Sequence, residues 1–111
     1  MKVFISQPMR GLPREKVNNR RNEIINKIKN RYLNDNIEFI YSTISEYPNE
    51  NIECVPVWYL SKSIDKLSQA TLAYFDKGWE DTDGCTIEHI ICEKYKIKMI
   101  DYIDLFAEKK E

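Results

Sequence analysis

A parallel α/β sheet with helices on both faces is the fold this sequence predicts, on three observations. Short apolar runs rich in β-branched and aromatic residues (KVFIS, IEFIY, TLAYF, IKMI) alternate with longer segments whose apolar residues recur at helical spacing. The 111 residues suffice for one core and not for two, so a single domain is expected. Hydrophobic residues at 42% and charged residues at 32% give the balance of a globular chain, not a disordered one.

The elements follow in order. Lys2 to Ser6 reads as a strand. Gln7 to Pro13 holds two prolines and a glycine, which makes a loop, and Pro13 suits the first position of a helix. From there to about Leu33, Val17, Ile24, Ile25, Ile28 and Tyr32 form an apolar face, with Arg, Lys, Glu and Asn opposite. Asn34-Asp35-Asn36 breaks that helix, and Ile37 to Tyr41 reads as strand 2. Ser42 to Val55 is polar and about 14 residues long, a length typical of lids and binding loops. Pro56 opens a second helix with Trp58 or Tyr59, Leu60, Ile64 and Leu67 inward. Thr71 to Phe75 is strand 3. A third helix begins near Asp83 with Ile87, Ile90, Ile91 and Tyr95 expected inward. Ile97 to Ile100 is strand 4, Tyr102 to Ala107 a last short helix, and AEKKE a solvated tail.

Alternating strands and helices imply right-handed crossovers and a parallel sheet. Four strands in the order 2-1-3-4 make a small flavodoxin-like, or Rossmann-like, three-layer sandwich. Ligands bind such sheets at the carboxyl edge, where the strand order reverses between strands 1 and 3. The loops leaving those two strands, Gln7 to Leu12 and Lys77 to Gly84, also carry the chain's least ordinary chemistry.

The totals exclude several classes. A net charge of −1 with both signs mixed gives no basic footprint for a nucleic-acid polymer. No apolar run reaches the length of a membrane span, and no charged-then-apolar leader precedes MKVFIS. Cys54, Cys85 and Cys92 are an odd number without a CxxC pair, and His89 is the only histidine. Neither a disulfide framework nor a metal site is expected, no cofactor is called for, and a reducing cytoplasm is the expected compartment.

Glu88 is the foremost candidate for chemistry. From pattern alone it fits first a helix-start acid favoured by the macrodipole, and otherwise a carboxylate at the edge of the buried face, looking over the crevice. In the second case it could attack an electrophilic sugar carbon. Asp76 ends strand 3 and is the candidate partner, since two carboxylates in different environments can divide acid and nucleophile roles. Asp81 and Asp83 read as capping and turn residues. Gly78 and Gly84 offer positive φ or close backbone approach. Trp79 either stacks on a base or covers the core edge, and His89 either bonds a neighbour or touches substrate. In the first loop Ser6, Gln7, Met9, Arg10 and Gly11 bring a hydroxyl, an amide, a guanidinium and backbone N–H groups near a helix start. That set suits a phosphate or a sugar hydroxyl, although no Walker or dinucleotide glycine pattern is present. Cys85 and Cys92 read as small core residues.

With VFISQPMRG at the start, WYLSKSIDKLSQATLAYF in the middle and GWEDTDGCTIEH closing on a helix, the chain resembles the nucleoside 2-deoxyribosyltransferase-like superfamily. It is most similar to that group's small phage and bacterial domains. The resemblance covers nearly the whole chain. It implies a nucleoside or nucleotide as the small-molecule partner, cleavage or transfer at the N-glycosidic bond, and Glu88 as nucleophile on the anomeric carbon. It gives Ser6, Arg10 and Gly11 to sugar and phosphate binding, and implies a homodimer or higher homo-oligomer. The family's second catalytic aspartate aligns with Ser63, whose hydroxyl cannot do a carboxylate's proton work. Either Asp76 substitutes for it, or the reaction is slow, or the domain binds a nucleotide-derived molecule without cleaving it. The chain also stops soon after strand 4, where the family's enzymes continue into a fifth strand that helps complete a neighbour's site. A third expectation is a partner-binding protein using Trp58, Tyr59 and Trp79 as an interface.

Overall fold

A computed structural model describes residues 1–42 and 44–107; the expected tail from Glu108 onward lies outside them. Strands β1 (Lys2–Ser6), β2 (Glu38–Tyr41), β3 (Leu72–Phe75) and β4 (Met99–Asp101) form one sheet in the order β2-β1-β3-β4. Every pairing is parallel, with Val3 opposite Leu72 and Phe39, and Tyr74 opposite Ile100. The expected fold is therefore the observed one.

The central strands β1 and β3 are buried on both faces, which is why their sequences are near-continuous apolar runs. Side chains alternate across the sheet. Val3, Ile5, Leu72 and Tyr74 pack with Ile24 and Ile28 of helix α1 (Arg14–Arg31) and Leu105 of the short α4 (Tyr102–Phe106). Phe4, Ala73 and Phe75 pack the other way, onto Leu67 of α2 (Val55–Leu67) and Cys92 of α3 (Asp83–Tyr95). Three layers result, and the two outer ones differ in what they bring to the sheet's carboxyl edge. No helix among the described residues is long and apolar enough to cross a membrane.

The third helix is turned about its axis from the expected orientation. Ile87, Ile90 and Tyr95 are exposed, and the buried residues are Cys85, Glu88 and Cys92. Hydrophobicity alone favoured the isoleucines. The site that forms around Glu88 instead selects the 85/88/92 stripe, whose i, i+3, i+7 spacing is equally helical. Glu88 lies in the second turn of α3, beyond the reach of a helix-start role.

Candidate functional site

Glu88 is 3% exposed. Strand β1 and helix α2 meet α3 there, and each contributes a hydroxyl. Ser6 donates to Oε1 at 2.9 Å and Ser63 donates to Oε2 at 2.5 Å. Ser6 can do so because its parity on β1 matches Phe4 and sends its side chain toward α3. Ser63 sits one turn before Leu67, on the buried face of α2. Burial pushes the Glu88 carboxyl above the usual range, and the two hydroxyls oppose that push by favouring the anion. No cation shares this carboxylate among the described contacts.

Glu88 forms part of the wall of an open cavity of about 600 Å³, within the range of small-molecule sites. Loop 1 supplies Gln7, Met9 and Arg10, and α2 supplies Pro56, Tyr59, Leu60 and Ser63. Asp81, Asp83, Gly84 and Cys85 come from the approach to α3 and its first turn, and Ser42 and Ile44 from the segment after β2. Apolar atoms make up most of the lining surface, and polar and charged residues contribute about half of the side chains around it. Asp81 sits in the expected turn, its N–H donating to the Gly78 carbonyl, and Asp83 in the first turn of α3; neither caps that helix by its side chain, and both line the cavity. Gln7 is 4% exposed, with Nε2 donating to the Val17 carbonyl at 3.0 Å. Because a carbonyl only accepts, that bond fixes the amide's orientation and leaves Oε1 without a partner among the described residues.

Other expected site residues lie elsewhere. Asp76 is buried but takes the other side of the sheet. Its parity matches Leu72 and Tyr74, toward α1, where Arg20 grips it through Nε and Nη2 at 2.8–3.2 Å. The Tyr74 hydroxyl donates to it at 2.7 Å. The Arg20 guanidinium also lies over the Phe106 ring, 4.2 Å from its centroid, and its pKa is raised chiefly by the hydrogen bond to Asp76. Burial foremost, and then this carboxylate, pushes the Tyr74 phenol up. Asp76 is therefore not placed as a second acid beside Glu88.

Trp79 stacks on His89 with ring centroids 4.0 Å apart and packs edge-on against Phe75. It covers the core edge and is not part of the cavity wall. His89 faces Glu93, with Nδ1 3.2 Å from its carboxylate, and is likewise outside the lining. Gly78 has φ 88°, and a Cβ there would meet Pro8 Cγ at 3.7 Å; it stands where the two switch-point loops touch, outside the cavity lining. Gly11 has φ 79° and turns loop 1 without lining the cavity. Gly84 lines it as an ordinary helical residue. Ser6 is fully buried behind Glu88 and orients that carboxylate.

Sequence reasoning overlooked Pro56, Tyr59 and Leu60 as cavity residues. The signal was there: with Ser63 they recur at i, i+3, i+4 and i+7 on one face of α2. Burial raises the Cys85 thiol, and it pushes Cys92 to about 11, so neither is an activated nucleophile. No cluster of three or more His, Cys, Asp or Glu side chains among the described residues could hold a metal ion. Comparison with protein-family models, curated proteins and solved structures finds no match for this chain.

Proposed function

We propose that this domain cleaves or transfers the N-glycosidic bond of a nucleoside or nucleotide held in the cavity, with Glu88 attacking the anomeric carbon. The observation that carries the reading is a buried carboxylate with both oxygens oriented by hydroxyls on the wall of a cavity of nucleoside size. Orientation of this kind is what a nucleophile needs, since a near-attack geometry removes much of the entropic barrier. Arg10 at the cavity suits a sugar hydroxyl or 5′-phosphate, and Tyr59 offers a ring to the base. The resemblance to the deoxyribosyltransferase-like superfamily supports the same role for Glu88.

The test is release of free base from a panel of deoxynucleosides and their monophosphates, followed chromatographically. Wild-type turnover that disappears in Glu88→Ala is the expected result. Absence of turnover, or equal turnover by the variant, would defeat the proposal.

A second reading is favoured by one observation, the withdrawal of Asp76 to the opposite sheet face. With Asp76 withdrawn, the same cavity would sequester or sense a nucleotide-derived molecule. Calorimetry showing tight binding of a nucleotide while no base is released would select this reading over cleavage.

A further inference from the structure

The Glu88 carboxylate is held asymmetrically. Oε1 accepts from Ser6, which is fully buried and outside the cavity lining. Oε2 accepts from Ser63, which shares the cavity wall with Glu88 itself. The open side of the carboxylate is therefore the Oε2 side. The two hydroxyls fill two of the roughly four lone-pair positions of a carboxylate, so Oε2 keeps one with which to bond carbon.

The strength of the Ser63 contact follows the charge on that oxygen. A hydrogen bond to an ionised group is roughly twice as strong as one between neutral groups. The bond is thus strongest when Glu88 is a carboxylate and weakest when Oε2 belongs to an ester. Burial disfavours the anion, and of the two hydroxyls that oppose burial, Ser63 has the larger effect.

We infer that, if Glu88 is the nucleophile as proposed above, Oε2 makes the bond to the sugar and Ser63 is a positioning residue for the second half of the reaction, where it stabilises the departing carboxylate. In the first step Oε2 bonds to C1′, the C1′–N bond breaks, and its electron pair goes to the base, which takes up a proton. In the second step water attacks C1′, the C1′–Oε2 bond breaks, its electron pair returns to Glu88, and the water gives up a proton. The Asp81 and Asp83 carboxyls in the same wall, and solvent in the open cavity, are available to exchange both protons. Negative charge leaves Oε2 in the first step and returns to it in the second. A donor fixed on that oxygen slightly restrains the attack and assists the release.

Separating the two steps tests the idea. In a single turnover of a 2′-deoxynucleoside, base release reports the first step, and decay of the sugar–Glu88 adduct, followed by intact-protein mass spectrometry, reports the second. Ser63→Ala should slow the decay about tenfold, as loss of a charge-assisted hydrogen bond would. Its base release, measured above the acid limb of the pH profile, should be no slower than in wild type, so the adduct accumulates. The acid limb of kcat/KM should move to higher pH, since the anion has lost a donor. Ser63→Thr keeps the hydroxyl and should behave as wild type. A Ser63→Ala protein that slows both steps alike or neither, an unmoved acid limb, or equal accumulation in Ser63→Ala and Ser63→Thr would overturn this inference. The glycosidase reading would survive each of those results, provided that wild type releases base and Glu88→Ala does not. Release of no base by wild type would remove both.

Discussion

Glu88 and Asp76 are both buried carboxylates at the carboxyl edge of the same sheet, 3% and 4% exposed, yet they are satisfied in opposite ways. Asp76 has a guanidinium in bidentate contact and a phenol, so its charge is neutralised inside the fold. Glu88 has two serine hydroxyls and a cavity. A charge removed from water is costly unless it is paired. The fold resolves that cost for Asp76 and leaves it standing at Glu88. The carboxylate without a counter-charge lies beside open volume; the neutralised one, between α1, β3 and α4, fastens the layers together.

The largest expected effect separates the two by activity. Glu88→Gln keeps the shape and should lower base release on the order of 10⁴-fold or more, as removal of a nucleophile does. Substitution on the Asp76 side should act through folding and leave the turnover of the folded fraction near that of wild type. A Tyr74→Phe protein, still folded, that loses turnover as Glu88→Gln does would erase the distinction.

Arg20→Ala gives the next effect, in stability. It strips Asp76 of its counter-charge and should cost about 3–5 kcal/mol, a large part of a small domain's stability. Denaturant unfolding would measure this. A loss below about 1 kcal/mol would mean that water reaches Asp76 and that the pair is an ordinary surface bridge. Tyr74→Phe is milder, because Arg20 remains. Losing one hydrogen bond to a charged group should cost about 1.5–3 kcal/mol, and a neutral result would show that Arg20 alone satisfies the carboxylate.

The difference between these two acids was only half legible in the sequence. Strand order and the place of both switch-point loops follow from hydrophobic period and from the reversal of strand order. The side of the sheet that Asp76 takes also follows from alternation, since Leu72, Tyr74 and Asp76 share one parity. Proximity to the strand's end hid that. What no local pattern carries is the pairing of Arg20 with Asp76 across 56 residues of chain. Nor does it carry the meeting of three elements that draws Glu88 inward while Ile87 and Ile90 stay in water. On α3 the polar residue won the buried position because two hydroxyls were waiting there. Periodicity ranks residues by hydrophobicity and cannot anticipate a partner supplied by another element. The cavity face of α2 was missed for a related reason: its Pro56, Tyr59, Leu60 and Ser63 look like a routine amphipathic stripe until α3 leaves a gap above them.

The smallest effect is the most discriminating. If Glu88 is buried without a counter-charge, Glu88→Gln should stabilise the fold at neutral pH, on the order of 1 kcal/mol, while abolishing function. The carboxyl's pKa is higher folded than unfolded, so the native state holds its proton more tightly. Its contribution is therefore most favourable below the unfolded carboxylate range and is lost as pH rises through the raised folded value. Glutamine does not titrate. The variant's advantage should thus be greatest near neutrality and shrink toward zero as the solution is acidified, a trend that thermal melts of both proteins across pH would reveal. A pH-independent advantage would point to packing as its source, and a glutamine variant less stable than wild type at neutrality would mean that the two serines fully offset the burial of the anion. In that case Glu88 would be as settled in its place as Asp76.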